Sequence, residues 1–590
     1  MATTDREKLS PEIEHVLSRR GFLAGALSIG TVSALGALSG CAPASRGGTD
    51  GAADGGAAGA AAGGDAAGAA GAGGSTAAYD WLGSEPEIDA AAITQTLETE
   101  VLVVGGGTGG LFACCSAAEN GAKVLVIDKF TSGGIRDDMG AIGSRYQQEA
   151  GVDIDIQEIV REAYRYSAGR MQPDLHYVWA RESGQTVDWY ADRLAERDVQ
   201  LWLEYTQEKE TVNYKHFVTG HSPAWPMDEN GAATLNGATV LTDYALGLGV
   251  EFRYNTPMVK LLKTDGRISG VIAQQSDTGD YVQINASKGV IVCTGGYAEN
   301  HEMLKALQPE TYDLLGWEMI IPGAAGDGIK ACIWAGADHD IDHCLMLFDR
   351  CALPVGTEPQ GPDSGGAFFW LGEQPFLKVN LKGRRFTNES GTYDFIAHAA
   401  SKQPQRVYCT IWDGNFKDDI VRFDMHGCSR TFPNDNGAQP DIPLEIAAGM
   451  VDGLIEQGIV QQADSIEELA EKLQLPADAF KATIERYNEL YDAGADEDYG
   501  KEAFRLSAVR QAPFFGTWAC AYTLATLDGI RIDTDMRALD AQGEPIPGLY
   551  VVGNDSGGYY ANTYFNLATG HACGRTVTFG RHAGKAAATA

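Results

Sequence analysis

The chain has 590 residues, 44% hydrophobic and 21% charged, which is the composition of packed soluble domains and not of a fibrous or membrane-saturated protein. That length exceeds one ordinary core, so two or more domains with flexible extensions are expected. Acidic side chains outnumber basic ones by 80 to 45, and the resulting charge of -35 repels polyanions, which disfavours nucleic acid as a partner.

In chain order, the first feature is Ser18-Arg19-Arg20-Gly21-Phe22-Leu23, followed by a weakly apolar run over 24–38 and then Leu38-Ser39-Gly40-Cys41. Paired arginines before a modest hydrophobic segment resemble a twin-arginine export signal, and the last four residues resemble a lipobox with Cys41 as the lipidated residue. Residues 1–41 are therefore expected to be an address and a lipid anchor, with the rest of the chain on the outer face of the cytoplasmic membrane. The segment is too rich in Gly, Ala and Ser to make a good spanning helix. Residues 42–78 are almost wholly Ala, Gly, Asp and Ser. With no side chain able to build a core, the region 42–98 is expected to be a tether, the low-complexity part reaching roughly 30 to 35 Å.

The folded body is expected to begin near Thr99. Glu100-Val101-Leu102-Val103-Val104 reads as a buried strand. It runs into Gly105-Gly106-Gly107-Thr108-Gly109-Gly110, an apolar helix, and a second strand, Lys123-Val124-Leu125-Val126-Ile127-Asp128. This is the strand, glycine turn, helix, strand and acid of a dinucleotide fold. Gly105 permits the tight turn, Gly107 the approach of backbone to pyrophosphate, and Gly110 the packing of helix on strand. Thr108 and Gly109 open the helix, whose free N–H groups face the phosphates. Asp128 is placed to accept hydrogen bonds from a ribose.

A second glycine-rich stretch follows, with Lys129, Ser132, Gly133, Gly134 and Gly140, and it suits the longer FAD better than NAD. Further on, an apolar strand over 289–293 ends in Thr294-Gly295-Gly296, and Asp327 opens another helix. Gly553-Asn554-Asp555 closes a late strand, where it could cap a ribityl chain. Eleven cysteines are scattered apart from Cys114 and Cys115, and no CxxC or CxxCH occurs, so no haem or iron–sulfur cluster is expected. His339, Asp340, Asp342 and His343 lie close in sequence, but a polar loop accounts for them and no metal is expected there.

Together with Gly326-Asp327-Gly328, Gly383-Arg384-Arg385-Phe386-Thr387-Asn388-Glu389, Asp528-Gly529-Ile530-Arg531-Ile532-Asp533 and Thr578-Phe579-Gly580-Arg581, these motifs resemble the flavoprotein family of fumarate reductases, urocanate reductases and 3-ketosteroid dehydrogenases. The likeness runs over about 99–584. It implies an α/β fold: a Rossmann-like FAD-binding domain (99–337 and 521–590) with an inserted α+β capping domain (338–520). Helical periodicity over 444–457, 466–473 and 477–492 fits the inserted lobe.

The fumarate and urocanate branches carry an arginine proton donor four positions after the matching glutamate, where this chain has Tyr393. The ketosteroid branch has a catalytic tyrosine at that spacing, so the resemblance gives Tyr393 the proton-transfer role. No Arg or His occupies the expected carboxylate clamps within 369–372, 524–527 and 566–568. A desolvated dicarboxylate needs such partners, which argues against fumarate. Phe368, Phe369, Trp370, Phe514, Phe515, Tyr559, Tyr560 and Tyr564 are the candidates for an aromatic substrate pocket. The loss of a tyrosine at Phe515 weakens a steroid assignment.

The expected chemistry is hydride transfer between FAD and a C=C or CH–CH unit of a small organic molecule. A tyrosine with a pKa near 10 is already an acid at neutral pH, which leans toward reduction. A membrane-linked electron donor, cytochrome or flavoprotein, is the simplest source of electrons. A dehydrogenase running in the opposite direction, and a ligand-binding lipoprotein on a decayed flavin fold, remain open on the sequence alone.

Overall fold

A computed structural model describes residues 81–204, 214–228, 233–424, 429–434, 436–440 and 442–590. The arginine pair, Cys41 and the tether through residue 80 lie outside the described residues. Among the described residues no helix is long and apolar enough to cross a membrane.

Two large sheets organise the chain. The first has eight strands, in the order Arg537–Leu539, Pro545–Val551, Tyr281–Val292, Ile93–Val104, Val124–Ile127 and Glu251–Arg253, with the hairpin Met258–Thr264 and Arg267–Gln274 beside Tyr281–Val292. Its central pairings are parallel. Parallel strands are covered on both faces, which is why Val101 to Val104 and Val124 to Ile127 are unbroken apolar runs, all buried. The body also begins earlier than the sequence indicated. Ile93 already pairs with Tyr281, and Trp81 and Leu82 are buried in the core, so the tether boundary at 98 is too late.

Helices Thr108–Glu119 and His571–Thr589 lie against one another beside this sheet. Their approach is close because glycines face backbone. A Cβ on Gly580 would come within 2.5 Å of the Gly109 carbonyl oxygen, and one on Gly584 would overlap that of Ala113. The Gly580 motif is thus a helix-contact device.

The second sheet has seven strands, in the order Ala367–Phe368, Leu345–Leu353, Phe514–Thr526, Tyr408–Trp412 and Leu377–Asn380, with Leu315–Glu318 and Gln461–Ala463 also on Phe514–Thr526. Helices Leu444–Glu456, Ile466–Lys472 and Ala477–Ala493 accompany it, within a residue or two of the sequence expectation. Two boundaries differ. The strand Leu315–Glu318, inside the stretch 99–337, pairs with the second sheet, and Phe514–Thr526 runs six residues past 520.

Candidate functional site

At the end of the Ile93–Val104 strand the chain turns through three glycines into the Thr108–Glu119 helix. Gly105 has φ of 105°, and a Cβ there would strike the Cys293 carbonyl, while one on Gly110 would strike the carbonyl of Gly105. Internal packing therefore demands both. Gly107 differs, because a Cβ there would lie 3.6 Å from the Gly134 oxygen, an ordinary contact. What this glycine keeps clear is the space before the helix. That helix has no side-chain cap and no acid in its first turn, so its leading amides and positive dipole end remain available to an anion.

The second glycine loop presses on the first, since a Cβ on Gly133 would lie 2.5 Å from the Gly106 oxygen. Thr108 Oγ1 accepts from the Arg136 N–H at 3.0 Å, tying the two together. Ser132 is exposed beside them. Asp128 braces the turn, accepting from the N–H groups of Gly106 (2.6 Å) and Phe130 (2.7 Å). Burial raises its pKa and these two amides oppose the rise. Lys129 pairs with Asp327 at 2.8 Å, joining this loop to the helix Asp327–Trp334.

Asp555 is fully buried and turned inward. Its Oδ1 accepts from the Gly296 N–H at 2.9 Å, and its Oδ2 takes the Thr294 N–H and the Thr294 hydroxyl, the latter at 2.9 Å. Burial raises its pKa against those donors. Asp555 and Thr294 thus clamp two glycine turns together, with Gly295, Gly296 and Gly553 all at positive φ. Arg575, absent from the sequence candidates, is buried and donates to the Gly553 carbonyl at 2.8 Å and to Asn554 Oδ1 at 3.4 Å. Gly140 is needed for another reason, because a Cβ there would meet the Thr569 carbonyl at 2.7 Å.

The second cluster lies where the lobes meet. Tyr393 is half-buried at the first position of the helix Tyr393–Ala400, its ring stacked on Phe348 with centroids 4.3 Å apart. Phe348 stacks on Tyr522 at 5.2 Å, and Tyr522 meets Trp317 at 5.6 Å and Phe368 at 5.8 Å. Asp394, fully buried, fixes the start of this helix to the first lobe. It accepts from the Tyr166 hydroxyl at 2.8 Å, the Thr563 hydroxyl at 2.6 Å and the Asn566 amide. The loop before the helix is pinned by Arg385, which pairs with Glu389 at 2.7 Å and Asp496 at 2.6 Å. Burial works against ionisation of Glu389, but Lys501 and Arg385 hold its pKa below the ordinary value. The arginine and glutamate of the Gly383-to-Glu389 motif are thus a support for Tyr393.

Several expected pocket residues lie elsewhere. Phe369 and Phe515 both stack on Trp412, at 5.5 and 5.7 Å, inside a separate core cluster. Trp370 belongs to the same cluster and carries the Arg350 guanidinium 3.8 Å from its ring centre. Phe514 is core. Tyr559 and Tyr560 line a small cavity with Tyr166, His176 and Thr563, their hydroxyls on His571 at 2.7 and 3.2 Å, and Tyr564 packs on Tyr560 at 5.5 Å. Of the aromatic candidates Phe368 joins the ladder at the seam, and Trp370 meets Phe368 edge-on at 5.9 Å. Phe348 and Tyr522 were missed, since positions in buried strands look like core in the sequence, and Trp317 because its short strand leaves no local pattern.

A family model described as FAD binding domain matches residues 100–566. The vinyl phenol reductase of Lactiplantibacillus plantarum is 28% identical over 83% of this chain and 96% of its own. The cytochrome-type fumarate reductase of Shewanella frigidimarina is 27% identical over 87% of this chain and 79% of its own. In fold, the chain is similar to the 3-ketosteroid-Δ4-(5α)-dehydrogenase of Rhodococcus jostii, with a TM-score of 0.63, 22% identity, and coverage of 85% of this chain and 99% of that one.

Proposed function

The chain belongs to the FAD binding domain family, as an FAD-dependent oxidoreductase of C=C and CH–CH groups, and from that premise we propose that it reduces an activated double bond in a small aryl-substituted or otherwise conjugated acceptor. Bound FAD supplies the hydride. The amides of residues 107–110, the loop at Gly133 and Gly134, and the turn at Gly553 and Asn554 hold the cofactor. Gly107 fits this role because the space it leaves has no use in the protein's own packing. Tyr393 delivers the proton to the carbon next to the one that takes the hydride. A phenol is in general an acid at neutral pH, which suits the direction of reduction.

One observation carries the reading of the acceptor: Tyr393 stacks on Phe348, and Phe348 on Tyr522, in an aromatic ladder at the contact between lobes. Flat apolar faces bind a conjugated ring by stacking and give a dicarboxylate nothing to pair with. The name of the vinyl phenol reductase relative supports the same class. The reading extends to location: Arg19, Arg20 and Cys41 direct export and anchoring, and a membrane-linked cytochrome or flavoprotein donates electrons.

Purified enzyme, reduced with dithionite under anaerobic conditions, tests this by flavin reoxidation against 4-vinylphenol, cinnamate and fumarate. Reoxidation by either aryl alkene and none by fumarate is expected. Fumarate as the fastest acceptor would overturn the assignment.

A further inference from the structure

The chain leaves the first lobe over 337–345 and returns over 526–530, and the two crossings run side by side. Asp340 N–H donates to the Gly529 carbonyl at 2.8 Å, Leu527 N–H to that of Cys344 at 2.8 Å, and His339 bridges Ile530. Three side chains converge here. One donor atom from each of His339, His343 and Asp528 lies within 4.8 Å of the others.

His339 supplies the decisive detail. Its Nδ1 is 3.0 Å from the Asp340 carbonyl oxygen, which can only accept, so Nδ1 carries the hydrogen and Nε2 the lone pair. That Nε2 is shielded from solvent and has no hydrogen-bond partner. An orphaned buried acceptor of this kind calls for a ligand. His343 Nδ1 lies 2.7 Å from Asp528 Oδ2, a pairing that accounts for two of the three residues and leaves His339 unexplained. Asp528 is fully buried and oriented from behind by the Tyr297 hydroxyl at 2.7 Å and the Gln308 amide at 3.2 Å, the arrangement that outer-shell donors give a metal-bound carboxylate.

We propose that His339, His343 and Asp528 bind one divalent transition-metal ion, which staples the two crossings between the lobes. Two imidazoles and one carboxylate suit zinc, cobalt or nickel and not magnesium or calcium, and three protein ligands leave a position for water. The proposal departs from the sequence expectation that a polar loop accounts for the histidines. The site stands apart from the proposed acceptor chemistry and does not depend on it.

The test is equilibrium dialysis of chelator-treated, flavin-loaded protein against zinc, with bound metal counted by mass spectrometry. The wild type should hold one zinc per chain in the presence of excess magnesium. His339→Gln and His343→Gln should each bind about tenfold more weakly or worse, with flavin absorbance unchanged. The proposal fails if the wild type takes up no zinc, if magnesium displaces it, or if both variants hold it as tightly as the wild type.

Discussion

The glycine loops of the first lobe and the seam around Tyr393 are built on opposite principles. The first is a backbone site: Gly105 and Gly110 let main chain pass main chain, and Asp128 and Asp555 hold turns by accepting from peptide N–H groups. The second is a side-chain site, assembled from residues as distant as Phe348, Tyr393 and Tyr522 on separate elements. Backbone sites restrict residue type locally and leave a compact signature. Side-chain sites depend on which strand lies beside which, and their members look ordinary one at a time.

The largest test of this contrast lies within the glycines. Gly110→Ala forces a Cβ into the Gly105 carbonyl and should yield no soluble, yellow protein. Gly107→Ala meets only an ordinary contact, so it should fold with wild-type circular dichroism yet bind FAD at least about tenfold more weakly by titration of the apoprotein. Equal FAD affinity in the Gly107 variant would remove the cofactor from that helix end.

At the seam, Tyr393→Phe keeps the stack on Phe348 and loses the phenolic proton. Turnover with the best acceptor should fall by about 10²- to 10⁴-fold with the flavin spectrum intact. Wild-type turnover would mean that the ladder only packs.

The smallest effect probes whether the backbone site is free of side-chain cost. Asp137, beside the second glycine loop, has its pKa raised to about 8 by burial and by repulsion from Asp138. The folded state therefore holds a proton that the unfolded state, near the ordinary carboxylate value, has released. Stability contributed by that proton is present at acid pH and is lost as pH rises from about 4 through about 8. Asp137→Asn should flatten the fall in melting temperature between about pH 5 and about pH 9, and an unchanged slope would assign the dependence to other groups.

The dinucleotide unit, the FAD and the three helices of the second lobe were legible because each depends on local pattern. The seam was not. In Leu345–Leu353 every residue is buried, Asp349 and Arg350 included, so alternation could not say which side faced the seam. Phe515, in a fully buried strand, and Phe369, buried just past the strand Ala367–Phe368, gave no sequence clue whether the neighbour is Trp412 or a substrate. The strand Leu315–Glu318 was missed because four residues pairing with a strand some two hundred positions away leave no local trace. Asp394 had a usable signal, an acid directly following the candidate donor. Arg575 had none, since its partner is a turn about twenty residues upstream.

The contact of Gly580 and Gly584 with Gly109 and Ala113 also bears on the order of assembly. The strand and helix proposed to meet the cofactor are made early, yet the helix that braces them emerges more than 450 residues later. A ribosome halfway through this message displays the glycine turn without its backing. Tight retention of the flavin therefore belongs to the nearly finished polypeptide, and a truncation that removes His571–Thr589 should shed cofactor while every loop that touches it is still encoded.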